Sequence, residues 1–351
     1  MENMDVQDVL KKIQEELRAF ELTEVQVALF GQPGAGKSSL INKLVGAKVA
    51  EVGVETDKTT DAKTYKHKGV CFIDLPGYGT ENFPKEGYFN RFDILKKDIF
   101  LCVTSNKLLA SDTEFFNELK KENKICIFVV NKSDELWEEG VSIDELKQRK
   151  LKDMKEKLKD ETIDVIFTSC KNEQGFDELN EKIYSSLEGA KKSAVIMSMK
   201  AYSENFLKAK KELLYDLTNK YAAISAVNGL NPIPGADVAV DVTTLLTLFK
   251  TIRESYGLTD TEISKIEKLA PSLAPMANKI IQHGTKHGII KLLSAYAGKK
   301  ATQSFSKYIP LVGQAISASI GFTITRLAGT KYIDDCNEIA QQYFECTLNK
   351  A

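Results

Sequence analysis

Lys37 and Ser38 are the residues in this chain best placed by type and spacing to do chemistry, and they fall within the string GQPGAGKSS, Gly31 to Ser39. The string fits GxxxxGK(S/T). The VQVALF before it has the length and β-branched content of a buried strand that hands a loop to a helix. Gly31, Gly34 and Gly36, with Gln32, Pro33 and Ala35 between them, let an anion come close to the backbone, and successive N–H groups can then point into one concavity. In such a cradle Lys37 would set a point charge on the β and γ phosphates and Ser38 would offer its hydroxyl to Mg²⁺. A helix running on through Ser39 and LINKLVG would aim its positive end at the same phosphates.

Three further strings carry chemistry that belongs beside such a cradle. GVCFIDLPGYG delivers Asp74 at the end of an apolar run, where its carboxylate can hold a magnesium-bound water, and the Gly77 N–H can sense a γ phosphate. KICIFVVNKSD delivers Asn131, Lys132 and Asp134. The Asp134 carboxylate can accept from both the ring N–H and the exocyclic amine of guanine, a donor pair adenine lacks. Lys132 can lie over the base and Asn131 can tie its segment to the phosphate loop. DVIFTSCKN returns to strand, and Ser169, Cys170 and Lys171 stand where a last loop touches the base through backbone N–H groups. Between cradle and Asp74 lies a polar segment with neither helical nor strand period. It reads as a mobile loop in which Thr59 or Thr60 can reach Mg²⁺ and the γ phosphate.

The elements that must hold these residues alternate. Near-continuous apolar strands followed by helices call for an α/β fold with a mostly parallel sheet covered on both faces. At 351 residues there is chain for about two domains. The expected division is an N-terminal helix over residues 1–22 that packs with a helical domain, a nucleotide-binding domain over 23–188, and an all-α domain over 189–351. Residues 6, 9, 10, 13, 17 and 20 are apolar at helical spacing, so the first segment is read as an amphipathic helix rather than a secretory signal. Charge is balanced, 48 basic against 49 acidic residues, and gives no footprint for nucleic acid. Six cysteines without a CxxC pair fit buried free thiols in a reducing cytosol. The stretch YIPLVGQAISASIGFTIT, residues 308–325, has 18 residues without a charge. It is read as a buried bundle helix, with regulated membrane contact as the alternative.

With GQPGAGKSSLIN, DLPGYGTENFP, NKSD, NPIPGADVAVDVTTLL and YIPLVGQAIS in view, the chain resembles the immunity-related GTPases of the interferon-inducible type over nearly its full length. The resemblance implies a P-loop GTPase fold, a Ras-like G domain joined to a helical domain. It implies GTP and GDP binding with Mg²⁺, GTP hydrolysis, homodimers or oligomers built through the G domain, and innate-immune action at intracellular membranes. It also implies a cytoplasmic location with peripheral membrane contact. Carried over by motif, nucleotide binding falls on Gly31 to Ser39, the second switch on Asp74 to Gly77 and base recognition on Asn131 to Asp134. Thr59 is favoured for the first switch because it lies six residues before Tyr65, as in the family. Catalysis then falls to Lys37, Thr59 and Gly77, and the metal to Ser38, Thr59 and, through water, Asp74. GKS rather than GMS resembles the effector class, while NKSD departs from the family's common TKxD and leaves a broader bacterial or invertebrate relative open. Tyr78 stands where many small GTPases place a water-orienting glutamine, so the monomer is expected to hydrolyse slowly. The rival expectation is a nucleotide-stabilised scaffold or membrane-binding protein that hardly hydrolyses.

Overall fold

Strands that are apolar on both faces must be covered on both, and the sheet of this protein obeys that demand. β1 (Val25–Gly31), β2 (Lys63–His67), β3 (Val70–Asp74), β4 (Ile99–Thr104), β5 (Ile125–Val130) and β6 (Asp164–Phe167) hydrogen-bond in the order β2-β3-β1-β4-β5-β6. β3 and β4 are buried along their whole length. The computed structural model describes residues 6–51, 61–105, 107–228, 236–298 and 320–348. Its chain divides into two units, residues 23–202 and residues 1–22 with 203–351.

All strand pairs except β2–β3 are parallel. The carboxyl ends of β1, β3, β5 and β6 therefore lie along one edge of the sheet, and consecutive strands leave β1 in opposite directions. Ligands of open α/β sheets sit at such a switch point. β2 corrects the reading of its segment as loop. Residues 63–67 are exposed or half-buried without an apolar face, since an edge strand needs none, and they pair with β3 across a two-residue turn at Lys68 and Gly69. Both turn residues have positive φ, 45° and 79°, as a tight hairpin of the twisted sheet requires.

Helices α2 (Lys37–Val45), α3 (Tyr88–Arg91), α4 (Ala110–Lys121), α5 (Ile143–Leu158), α6 (Phe176–Ser185) and α7 (Gly189–Ser198) complete this unit. Residues 189–202 belong to it because α7 buries Ala194 to Met197 and Lys200 N–H donates to the Leu44 carbonyl at 2.8 Å. The core on one face centres on Phe115 of α4. Its ring meets Phe30 edge-on at 4.9 Å, Tyr78 in a stack at 4.9 Å, and Tyr88 at 5.4 Å.

The second unit is helical. α8 (Glu204–Asn228), α9 (Ala236–Ser255), α10 (Asp260–Leu269), α11 (Ala274–His283), α12 (Lys286–Gly298) and α13 (Ile320–Leu348) join α1 (Val6–Leu22), whose Leu10 and Leu17 are buried. α8, α9 and α13 pack on one another, and Phe249 stacks on Tyr332 at 4.0 Å. Ala222, Ala223 and Ala226 admit Phe322 and Ile13 at close range. Among the described residues no helix is long and apolar enough to cross a membrane. Residues 308–319 of the uncharged stretch lie outside the described residues.

Phe115 is fully buried, so Phe115→Ala removes a ring with five aromatic neighbours. It should lower the unfolding free energy by about 3–5 kcal/mol, read as a drop in the urea midpoint. A loss below about 1 kcal/mol would mean that the sheet does not depend on this cluster.

Candidate functional site

The phosphate-type loop is forced into shape by what glycine lacks. Gly31 has φ 120°, and a Cβ there would stand 2.1 Å from the Val103 carbonyl oxygen. Gly36 has φ 89°, and a Cβ there would meet the Asn131 amide nitrogen at 2.4 Å. No other residue fits either place. α2 starts directly after Gly36, with Leu40 N–H donating to the Gly36 carbonyl at 2.8 Å, so its amino end opens onto the loop.

Lys37 lies back over that loop, donating to the Gly31 carbonyl at 3.2 Å and the Gln32 carbonyl at 3.3 Å, with its ammonium 3.7 Å from Asp74 Oδ1. Asp74 is 9% exposed. Burial raises its carboxyl above the ordinary range although Lys37 pulls the other way, and among the described residues nothing donates a hydrogen bond to its Oδ1. Tyr65 of β2 reaches the same corner. Its phenol lies near Ser38, and its pKa is raised by burial first and by the Asp74 carboxylate second.

Asn131 joins the phosphate-type loop to the segment after β6. It is 1% exposed. Its side-chain nitrogen donates to the Ala35 carbonyl at 2.8 Å, while its oxygen accepts from Thr168 at 3.2 Å and from the Cys170 thiol at 3.4 Å. Asp134 Oδ1 accepts from the Ser169 hydroxyl at 2.5 Å, and that hydroxyl accepts from Asn172 N–H at 3.1 Å. Lys132 takes the left-handed conformation, φ 59°, that turns the chain at the strand exit. Gly31 to Ser39, Asp74, Asn131 to Asp134 and Ser169 to Lys171 thus come to one edge of the sheet. Gly77 follows Asp74 on the same loop and is exposed. Thr59 and Thr60 lie outside the described residues. Arg91 is engaged elsewhere, its guanidinium 5.0 Å from the Phe83 ring centre and 5.4 Å from that of Phe92.

The family model described as Interferon-inducible GTPase (IIGP) matches residues 1–291. The chain belongs to the interferon-inducible GTPase family. Interferon-inducible GTPase 5 of Rattus norvegicus is 25% identical over 97% of this chain and 78% of its own length. Interferon-gamma-inducible GTPase 10 of Mus musculus is 37% identical over 38% of this chain and 34% of its own. A solved structure of Aquifex aeolicus Era bound to GDP.AlF4- is 21% identical, covering 58% of this chain and 68% of its own at TM-score 0.38.

Two features of this GTPase site escaped sequence reasoning because nothing in their spacing marks them. Asn42 of α2 accepts from Val49 and Ala50 N–H and donates to the Ala50 carbonyl, each at 2.7 Å, which pins the chain that follows the helix. Glu173, held at φ 55°, accepts from Lys43 and Lys200 at 2.6 Å each and so ties the loop after β6 to α2. Trp137, the single tryptophan, lies three residues past Asp134 and is 81% exposed.

Burial of Glu173 opposes its ionisation, but Lys200 and Lys43 outweigh that and hold the carboxyl below the ordinary glutamate range. A carboxyl depressed in the folded chain contributes stability above its unfolded pKa and loses it as pH falls through the folded value. The side chains are about a third exposed, so Glu173→Gln should cost about 1 kcal/mol at neutral pH. Denaturant midpoints of the two forms should converge as the pH falls below the ordinary glutamate range. A difference that persists in acid would assign the effect to packing rather than charge.

Proposed function

We propose that this family member binds GTP and GDP with Mg²⁺ at the edge formed by the four loops and hydrolyses GTP. The observation that carries the reading is the Asn131 side chain, which bonds the phosphate-type loop to the loops on either side of the base position. Lys37, now on loop carbonyls, would exchange them for phosphate oxygens. Gly31, Gln32, Pro33, Gly34, Ala35 and Gly36 would supply the cradle and Ser39 the first turn of α2. Lys132 would cover the base, Asp134 would take the guanine donor pair, and Ser169 to Lys171 would close over it.

The donor set fits a magnesium ion. Asp74 Oδ1 is buried and among the described residues accepts no hydrogen bond, which suits it to a metal-held water, and the Ser38 hydroxyl stands in the same corner. When bound, the ion neutralises charge on the β and γ phosphates. Thr59 is proposed as a further ligand and switch residue on its motif position, and Gly77 as the contact for the third phosphate.

Slow turnover by a single chain fits two side chains that are otherwise occupied. Tyr78 is buried in a stack on Phe115, and Arg91 lies over two phenylalanine rings. A placed arginine finger is worth about 10³ to 10⁵ in rate, so the missing aid is assigned to a second G domain. Assembly through that domain, peripheral contact with intracellular membranes and a cytoplasmic location complete the proposal on the strength of the family.

Asp134→Asn should turn an acceptor into a donor facing the guanine N–H. It should weaken GTP binding by about 3 kcal/mol and move preference toward xanthosine nucleotides in a titration. Wild-type protein that binds ATP as tightly as GTP would refute the base assignment. Hydrolysis per molecule should rise with protein concentration. A specific activity flat over a roughly hundredfold range, with no GTP-dependent dimer by light scattering, would favour the scaffold instead.

A further inference from the structure

Gly77 is exposed while the residues on both sides of it, Pro76 and Tyr78, are buried. Those neighbours are anchored in one aromatic cluster. The Tyr88 hydroxyl donates to the Pro76 carbonyl at 2.6 Å, and the Tyr78 ring stacks on Phe115 and meets the Tyr88 ring edge-on at 5.1 Å. Tyr88 is 2% exposed. Burial first, and the Asp74 carboxylate second, hold its phenol far above the ordinary range, so it remains a donor at neutral pH.

The Pro76 carbonyl and the Gly77 N–H belong to one peptide group, and no described peptide bond is cis. In a planar trans peptide the two point in opposite directions. Holding the carbonyl toward the aromatic cluster therefore holds the Gly77 N–H away from it. The approach to this peptide is fixed as well, because Leu75 N–H donates to the Leu29 carbonyl at 2.8 Å and extends the β3 pairing with β1. The exit is fixed by the Thr80 hydroxyl, which donates to the Gly77 carbonyl at 3.1 Å. Among the described residues the Gly77 N–H has no acceptor.

We propose that Tyr88 is a positioning residue that acts through the Pro76 carbonyl to aim the Gly77 N–H at the third phosphate, and so helps the site tell GTP from GDP. The inference rests on the guanine-nucleotide reading above. Losing the hydroxyl would leave the ring packed and free the peptide to rotate. Only a ligand with a third phosphate would register the change.

The test is a calorimetric titration of wild-type and Tyr88→Phe protein with GDP and with a non-hydrolysable GTP analogue, both with Mg²⁺. The variant should bind the analogue about tenfold more weakly, the worth of one charge-assisted hydrogen bond, and bind GDP within about twofold of wild type. Equal losses for both nucleotides, or none, would overturn the role of Tyr88. Wild-type protein that binds neither nucleotide would refute the guanine-nucleotide reading itself. Should Tyr88→Phe fail to fold, amide exchange in the wild type decides. Slowing at Gly77 with the analogue but not with GDP supports the proposal, and equal slowing overturns it.

Discussion

The buried amide of Asn131 is the contact on which the site's geometry depends. Its two ends are used at once, the nitrogen on Ala35 and the oxygen under Thr168 and Cys170, so three segments far apart in sequence are set by one side chain. A buried amide bonded at both its nitrogen and its oxygen rigidifies its surroundings, whereas one left unpaired would be among the least stable features of the fold. The same contact explains a glycine. Gly36 must lack a side chain because the Asn131 nitrogen stands where its Cβ would be. Loop, strand exit and base-side turn are thus a single constraint expressed at three places.

That constraint was largely legible in the sequence. Catalytic and binding strings announce themselves because phosphate and base chemistry allow few residue types at few spacings, which is why Lys37, Ser38, Asp74, Asn131 and Asp134 stand out at once. The sheet was legible too, since strands buried on both faces such as β3 and β4 are apolar throughout. β2 was not. An edge strand has one partner and can be polar along its length, so KTYKH carries no period that distinguishes it from loop. Asn42, Glu173 and Tyr65 were illegible for a different reason. Their roles come from partners that no periodic pattern marks, seven and eight residues on for Asn42 and farther along the chain for the other two, and an asparagine on a helix or a glutamate in a turn is ordinary until its partners are known.

The aromatic cluster shows how a core can serve a surface loop. Phe115 packs the rings of Tyr78 and Tyr88, which anchor the loop after β3, and Gly77 in that loop is exposed between buried neighbours. Packing of this kind restricts the loop before any ligand arrives, so less ordering remains to be done on binding. Tyr78 illustrates the exchange. As a ring in the core it stabilises the loop, and by lying there it is withdrawn from the polar edge at which Gly77 is exposed.

Trp137 has an optical consequence. Indole emission follows the polarity around the ring, and the single tryptophan is 81% exposed, three residues beyond Asp134 and remote in character from the phenylalanine and tyrosine cluster of the core. Its fluorescence therefore begins near that of a water-exposed indole and has little room to shift to longer wavelength when the chain unfolds. Emission in this protein is a local gauge of the surface beside Asp134, and loss of the native core is reported instead by the near-ultraviolet dichroism of its packed tyrosine and phenylalanine rings.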